Sequence, residues 1–175
     1  VITGGPGTGK TLIQRVLLNV YTKHRPNANI VCCAPTGRAA RHMTECTGFP
    51  ASTIHKALGL MADGKKEFDP VELSDANLIL VDEVSMLDIY LARQLFSAIP
   101  PGCQVILIGD AEQLPSVGPG AVLSEIIASE CIPVIQLDQV YRQDAGSRVA
   151  INAGRIRHNN TSLEYGEDFV FHRSL

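Results

Sequence analysis

Several short segments of this chain are apolar almost throughout and lack the polar alternation of a strand with one wet face. They are residues 29–34, 78–81, 104–108 and 133–137. Segments of this kind, separated by helical patterns, are typical of a parallel sheet that helices cover on both faces. The sequence therefore predicts an α/β fold of three layers, with binding sites at the carboxyl ends of the strands.

The stretches between these segments show helical spacing or helix-capping residues. Thr36 and Asp88 each precede such a stretch, and both are residue types that cap helix N-termini. The sequence predicts helices over residues 10–21, 37–43, 52–59, 89–98, 120–129 and 147–157. It also predicts that residues 1–3 end a first strand and that residues 169–171 form an edge strand.

The composition indicates a folded domain of modest size. The chain has 175 residues, 45% of them hydrophobic, and a net charge of −3, which excludes disorder as its main state. Its longest apolar runs fall well short of the roughly 20 residues that cross a bilayer. The five cysteines include no CxxC pair, so we expect reduced, mostly buried thiols in a cytoplasmic setting rather than disulfides or a zinc site.

The two ends of the chain suggest a larger parent protein. The first strand has only two or three residues before its turn, whereas strands average about five or six residues. We therefore expect residues 1–175 to be a single domain excised from a longer chain.

The charge is divided unevenly along the chain. Residues 1–68 carry nine Lys and Arg against three Asp and Glu, whereas residues 69–140 carry one against eleven. Such a split allows strongly charged local surfaces, including one that attracts nucleic acid, although the net charge argues against coating a duplex by charge alone. The alternative explanation of this split is that the solvent-exposed helix surfaces simply differ in charge and bind no partner.

A glycine-rich segment follows the first strand and matches the phosphate-loop pattern GxxxxGK[ST] in full. In this pattern backbone N–H groups and a helix N-terminus surround phosphate oxygens, and the lysine reaches the β- and γ-phosphates. Lys10 would have that role, and the Thr11 hydroxyl would bind Mg²⁺. The predicted nucleotide-binding residues are Gly5, Pro6, Gly7, Thr8, Gly9, Lys10 and Thr11.

Two further strand ends carry polar groups. Asp82 and Glu83 directly follow the apolar segment 78–81. We expect that strand beside the first one, with Asp82 holding the metal and Glu83 activating the attacking water. Gln113 follows the segment 104–108, and its amide, both donor and acceptor, suits contact with a γ-phosphate.

Six ordered motifs together resemble the first RecA-like motor domain of superfamily one DNA helicases, in particular the RecD-like group that includes the exodeoxyribonuclease V alpha subunit. The resemblance covers residues 1 to about 157 and rests on all six motifs in order. They are Gly4–Thr11, Ala34–Ala40, Thr53–Lys56, Val81–Leu87, Gly109–Gly118 and Val140–Gln143.

The resemblance implies a motor that couples ATP hydrolysis to 5′–3′ movement along single-stranded DNA in recombination and repair. It implies ATP and Mg²⁺ as ligands, and nuclease-complex subunits as candidate partners. Lys10, Asp82, Glu83, Gln113 and Arg142 would act in catalysis, with Arg142 directed at the γ-phosphate. The residues implied to contact DNA are Pro35, Thr36, Arg38, Thr53 and His55.

The chain also departs from the family pattern. Neither the second motor domain nor the upstream adenine-reading glutamine has a counterpart here, so we expect the chain alone to bind nucleotide weakly, hydrolyse it slowly and unwind nothing. A hairpin turn over residues 63–66 is either a strand-separating pin or an ordinary loop. Two other readings stay open: a phosphate-loop NTPase or kinase that does not act on DNA, and a non-catalytic assembly module.

Overall fold

The computed structural model describes residues 1–60, 73–139, 147–157 and 159–172. Contacts within the chain form two compact units, Val1–Asp138 and Gln139–Leu175. The larger unit contains the sheet and the phosphate loop. The organisation as one RecA-like domain over residues 1–175 stays a prediction.

A parallel sheet occupies the centre of the larger unit. Six strands of the described residues pair in the order β3-β2-β4-β5-β1-β6, and each pairing between neighbours is parallel. The predicted α/β class is therefore confirmed. The strands are β1 (Ile2–Gly4), β2 (Ile30–Ala34), β3 (Ala51–Thr53), β4 (Leu78–Val81), β5 (Gln104–Gly109) and β6 (Ile135–Leu137).

Helices cover both faces of this sheet. Successive residues of β4 point to opposite faces, Ile79 and Val81 to one apolar cluster and Leu78 and Leu80 to the other, because side chains alternate along a strand. All four are fully buried, as expected for a strand that has no solvent-exposed face. The helices of this unit are α1 (Lys10–His24), α2 (Gly37–Thr47), α3 (Ile54–Ala57), α4 (Ile89–Ala98) and α5 (Val122–Ala128).

The two apolar clusters assign each helix to a face. Leu18 of α1 and Met43 of α2 belong to the cluster that contains Leu78 and Leu80. Residues of α3, α4 and α5 belong to the cluster on the other face. The strand ends therefore emerge between two helical layers, which leaves the sheet edge at their carboxyl ends for the site.

The expected position of the strand before Asp82 is wrong. β4 pairs with β2 and β5, whereas β1 pairs with β5 and β6, so β5 lies between the acidic strand and the strand of the phosphate loop. The reason is that strand order depends on pairing between distant segments, and β5 suits an inner position because its side chains enter both apolar clusters. The insertion places the residues that follow β5 between the two predicted parts of the site.

The predicted helices are confirmed with shifted ends, except around Ser52. Thr36 caps α2 by accepting from the Ala39 N–H at 3.2 Å, and Asp88 caps α4 by accepting from the Leu91 N–H at 2.8 Å. The helix predicted over residues 52–59 is partly wrong, because Ser52 and Thr53 pair with β2 as strand β3. Only Ile54–Ala57 is helical there.

The smaller unit contains helix α6 (Arg148–Arg157) and a return segment. Asn152 is fully buried and bonds both the N–H and the C=O of Glu164 in that segment, at 2.8 and 2.6 Å. The predicted edge strand over residues 169–171 is wrong. Phe169 pairs only with Gly166, in an isolated antiparallel bridge, so the segment closes a turn on itself.

The structure bears on two expectations from the composition, one about the cysteines and one about membrane-spanning segments. The cysteines are free, but only Cys32 and Cys33 are buried, and Cys131 is exposed, so the prediction of mostly buried thiols is wrong. Cys103 and Cys131 lie in loops outside the strands that bury the first pair. Within the described ranges, every helix is too short or too polar to cross a membrane.

Candidate nucleotide and DNA site

The phosphate loop spans residues 5–9 between β1 and α1. Gly9 precedes the helix in the left-handed region, with φ 87°, and no side chain caps the N-terminus of α1. A residue with a Cβ adopts this conformation only under strain, which explains the glycine. The loop therefore presents the first backbone N–H groups of α1 together with the positive end of the helix dipole.

The Lys10 ammonium lies inside this loop. Its Nζ donates to the carbonyl oxygens of Gly4 at 2.6 Å and Gly5 at 2.9 Å. The buried Thr8 hydroxyl also donates to the Gly5 carbonyl, at 2.8 Å. The Lys10 ammonium and the Thr8 hydroxyl thus both lie against the backbone at the start of the loop.

Asp82 and Glu83 lie at the carboxyl end of β4. Asp82 is 8% exposed, and its N–H continues the sheet by donating to Cys33 at 3.0 Å. Glu83 has left-handed backbone angles, φ 53° and ψ 41°, a conformation that is uncommon for a residue with a side chain and concentrates at functional sites. A short 3-10 turn, Val84–Met86, follows.

The electrostatic surroundings of Glu83 show which groups lie near it. Burial raises the pKa of Glu83, the Asp82 and Asp110 carboxylates raise it further, and the charges of Lys10 and His42 oppose the shift. The phosphate-loop lysine and the acidic strand end therefore act on each other although β5 separates their strands. A carboxylate with a raised pKa accepts a proton more readily at neutral pH.

Two residues of this neighbourhood were not assigned a role from the sequence. Asp110 follows β5 and is 2% exposed. Its position after a buried strand repeats the position of Asp82, and that repetition was the available signal. His42 is an exposed residue of α2, with Nε2 3.4 Å from Sγ of Cys46. No sequence signal distinguishes it from an ordinary residue of a helix surface.

Gln113 lies in the loop after β5. Its N–H donates to the Asp110 carbonyl at 3.1 Å, and its side chain is exposed. Together with Met86 and residues 114–118 it lines a cleft of about 640 Å³. The loop begins beside the phosphate loop, because the Ala111 N–H donates to Thr3 Oγ1 at 3.3 Å.

The residues implied to contact DNA lie at two neighbouring strand ends. Ala34 pairs with Thr53 in the sheet, so the turn with Pro35, Thr36 and Arg38 lies beside Thr53 and His55. A Cβ on Gly37 would lie 4.0 Å from the Thr53 methyl carbon.

The two threonines also have a structural role. Thr53 Oγ1 accepts from the Lys56 N–H at 3.1 Å and caps α3, as Thr36 caps α2. Arg38 and His55 are exposed beside them. The pair of helix N-termini with an adjacent arginine and histidine suits a phosphodiester backbone.

Two predictions fall outside the described residues. Arg142, expected to point at the γ-phosphate, lies in the range 140–146, and the hairpin turn lies in the range 61–72. Within the described part, no three His, Cys, Asp or Glu side chains are grouped to hold a metal ion by themselves. Mg²⁺ commonly takes one or two protein oxygens and completes its coordination with substrate phosphates and water.

Comparison with known proteins shows the family to which the chain belongs. The model of the AAA domain family matches residues 1–169. The ATP-dependent RecD2 DNA helicase of Deinococcus radiodurans is 39% identical over 158 residues, covering 90% of this chain and 21% of that protein. The RecBCD enzyme subunit RecD of Mycobacterium tuberculosis is 35% identical over 148 residues, covering 73% of this chain and 26% of that protein.

A crystal structure of the Pif1 helicase from Candida albicans has the same fold. Its TM-score is 0.67 at 22% identity, covering 89% of this chain and 40% of that one. The chain thus spans about a fifth to a quarter of the length of the two curated relatives. The chain belongs to the AAA domain family, and the resemblance to RecD-like helicases that its motifs predict is confirmed over most of its length.

Proposed function

We propose that this chain is the ATP-hydrolysing motor domain of a RecD-like DNA helicase. The observation that carries the proposal is the electrostatic interaction of Lys10 with Glu83 across the intervening strand β5, with the Gln113 loop, which follows β5, emerging between them. A phosphate loop alone indicates only a nucleotide. A carboxylate placed to activate water favours hydrolysis, and the family resemblance implies that the Gln113 loop couples hydrolysis to movement.

The proposed reaction is an in-line attack of water on the γ-phosphate. Lys10 and the backbone N–H groups of the phosphate loop stabilise the charge that develops on the phosphate oxygens. Glu83 positions the water and accepts its proton, which its raised pKa favours. Arg142 is the last of the proposed catalytic residues and would be directed at the γ-phosphate.

The donor groups at the site suit Mg²⁺. Thr11 lies in the first turn of α1, and the Asp82 carboxylate lies at the strand end that faces the same edge. A hydroxyl and a carboxylate are hard oxygen ligands of the kind that Mg²⁺ prefers. These two residues would hold the ion, and the ion would supply charge neutralisation on the phosphates.

The DNA part of the proposal rests on the charge and the exposed polar groups around α2 and α3. Pro35, Thr36, Arg38, Thr53 and His55 would contact the backbone of single-stranded DNA, and the motor would move 5′ to 3′. A second motor domain and nuclease-complex subunits are the proposed partners, in recombination and repair. The five free cysteines support the cytoplasm as the compartment.

Nucleotide binding is tested first, with the variant Lys10→Ala. Loss of a charge-assisted contact costs about 1.5–3 kcal/mol, so we expect affinity for a fluorescent ATP analogue to fall roughly 10- to 150-fold. Lys23→Ala removes an exposed lysine at the other end of the same helix and serves as the control. Equal affinity in Lys10→Ala and wild type would reject the phosphate-loop assignment.

DNA binding is tested by fluorescence anisotropy of a labelled oligo-dT at low salt, with and without a Mg²⁺–ATP analogue. We expect binding that responds to the nucleotide and is lost in Thr36→Ala/Arg38→Ala. Arg93→Ala, which removes an exposed arginine of α4, is the control for charge. If the chain binds nucleotide but shows no DNA binding, the NTPase that does not act on DNA becomes the better reading.

A further inference from the structure

The loop that carries Gln113 packs closely, at its first end, against the turn that follows Glu83. Gly109, the last residue of β5, has the 3-10 turn packed directly against it. A Cβ on Gly109 would lie 3.2 Å from the Ser85 nitrogen and 3.3 Å from the Val84 nitrogen. The same Cβ would lie 2.8 Å from Leu123 Cδ2, so only a glycine lets the start of the loop pack this closely against α5 and the turn after Glu83.

The loop is fastened at its other end. A Cβ on Gly118 would lie 2.6 Å from Asp88 Oδ2, 2.8 Å from its Cβ and 2.9 Å from its Cγ. One residue later, the Pro119 carbonyl accepts from the Ile89 N–H at 2.9 Å. The hydrogen bond at Pro119 thus holds the loop against the amino end of α4, and Gly118 permits this close approach to Asp88 because it has no Cβ.

Neither partner in this second contact is free to move aside. Asp88 Oδ1 caps α4 by accepting from the Leu91 N–H at 2.8 Å, so its carboxylate cannot rotate away without uncapping the helix. On the loop side, the Ser116 hydroxyl donates to the Gly118 carbonyl at 2.8 Å. Local hydrogen bonds therefore stabilise both the end of the loop and the start of α4 where the two meet.

Between these ends the loop is exposed. Leu114 is 88% exposed and Val117 is fully exposed. Both residues help to line the cleft formed by Met86, Asp88 and residues 113–118. Because both ends of the loop are held and its middle is exposed, we expect a displacement of either end to shift the exposed middle of the loop.

We infer that Gly118 and Asp88 are positioning residues that lock the Gln113 loop to the amino end of α4. With this lock, the loop and the turn after Glu83 move together, so that a displacement at Glu83 reaches the exposed residues of the loop. The inference rests on the proposed function for its consequence, which is the coupling of nucleotide to DNA. The lock itself is a property of the fold and is tested separately.

The test uses Gly118→Ala and a second variant that restores the space. The backbone of Gly118 is not in the left-handed region, and the three nearest atoms that a Cβ of alanine would meet there all belong to Asp88. Gly118→Ala/Asp88→Gly removes all three of those atoms, and glycine remains a tolerated N-cap residue. Asp88→Gly alone is the control for the cap, and Gly154→Ala, where a Cβ meets nothing within 4 Å, is the control for the substitution.

The first readout is amide hydrogen exchange in the chain without ligand. We expect the Ile89 amide to exchange at least 10-fold faster in Gly118→Ala and to regain its protection in the double variant. The Ala92 amide, which donates to Asp88 at 2.9 Å, reports whether α4 itself stays intact and should keep its protection. Unchanged exchange at Ile89, or no recovery in the double variant, would overturn the lock.

The second readout is the ratio of oligo-dT affinities with and without the Mg²⁺–ATP analogue. We expect Gly118→Ala to reduce this ratio towards one while nucleotide affinity stays within twofold of wild type, and the double variant to restore it. If Gly118→Ala releases the Ile89 amide but leaves the ratio unchanged, the coupling role is rejected. If this ratio is already one in the wild type, the proposed coupling of nucleotide to DNA fails. Exchange of the Ile89 amide then still tests whether Gly118 and Asp88 lock the loop to α4.

Discussion

At the scale of single residues, Glu83 combines two unfavourable features. Its backbone is left-handed, and burial together with neighbouring carboxylates raises its pKa. Strain and buried charge of this kind lower stability and are retained where they serve chemistry. The acidic pair was predictable from its place after an apolar strand, whereas the backbone angle and the Asp110 neighbour depend on the folded surroundings.

Glu83→Gln should stabilise the protein at neutral pH and stop turnover. A carboxyl whose pKa is higher in the folded than in the unfolded state makes folding less favourable as pH rises through that interval. The stabilisation by Gln should therefore be largest at pH 7–8 and vanish near pH 3, below the ordinary Glu pKa of about 4.3. Urea unfolding of both proteins across this pH range measures it.

The same variant tests catalysis. Loss of a general base typically reduces turnover by about 10²–10⁴-fold, so Glu83→Gln should still bind ATP and lose hydrolysis by that factor. Glu125→Gln, at an exposed position of α5, is the matched control. A variant as active as wild type, or one destabilised at every pH, would contradict the role of Glu83.

At the scale of elements, two threonine caps link the sheet to the predicted DNA surface. Thr53 ends β3 and caps α3, and Thr36 lies two residues after β2 and caps α2. The capping role of Thr36 was predicted because its residue type and position agree with a local rule. Strand β3 was missed because three residues carry too little pattern, and only pairing with β2 makes Ser52 and Thr53 extended.

Thr36→Ala should destabilise the protein by about 1 kcal/mol through loss of the α2 cap. Thr36→Ser keeps a hydroxyl that accepts from the same Ala39 N–H and should retain most of that stability. Urea unfolding midpoints of the two variants, compared with wild type, measure the difference. Equal losses in Ala and Ser would show that the Thr36 methyl group, rather than the cap, is what stabilises this end of α2.

At the scale of the whole molecule, unit Val1–Asp138 contains the sheet and both apolar clusters. Every strand that pairs in this sheet lies within it. A chain that ends at Asp138 should therefore fold cooperatively, with the sheet intact. A chain that ends at Ala128 lacks β6, so β1 loses one of its two neighbours, and this chain should be measurably less stable.

Far-UV circular dichroism and thermal melts of the two truncated chains test this prediction. A broad, uncooperative melt of residues 1–138 would contradict it. Equal stability of the shorter chain would show that β6 contributes little to holding the phosphate-loop strand.

The sequence by itself determined the fold class, the phosphate loop and the two capped helices, because these depend on residue type and short spacing. It also located Asp82, Glu83 and Gln113 after buried strands, since a polar residue after an apolar run is a local signal. Only the tertiary structure decided the order of the strands, with β5 between β4 and β1. Strand order follows from pairing between segments far apart in the chain, and local pattern does not encode it. That order brings Asp110 beside Glu83 and locks the Gln113 loop to α4, which no single segment of the sequence reveals.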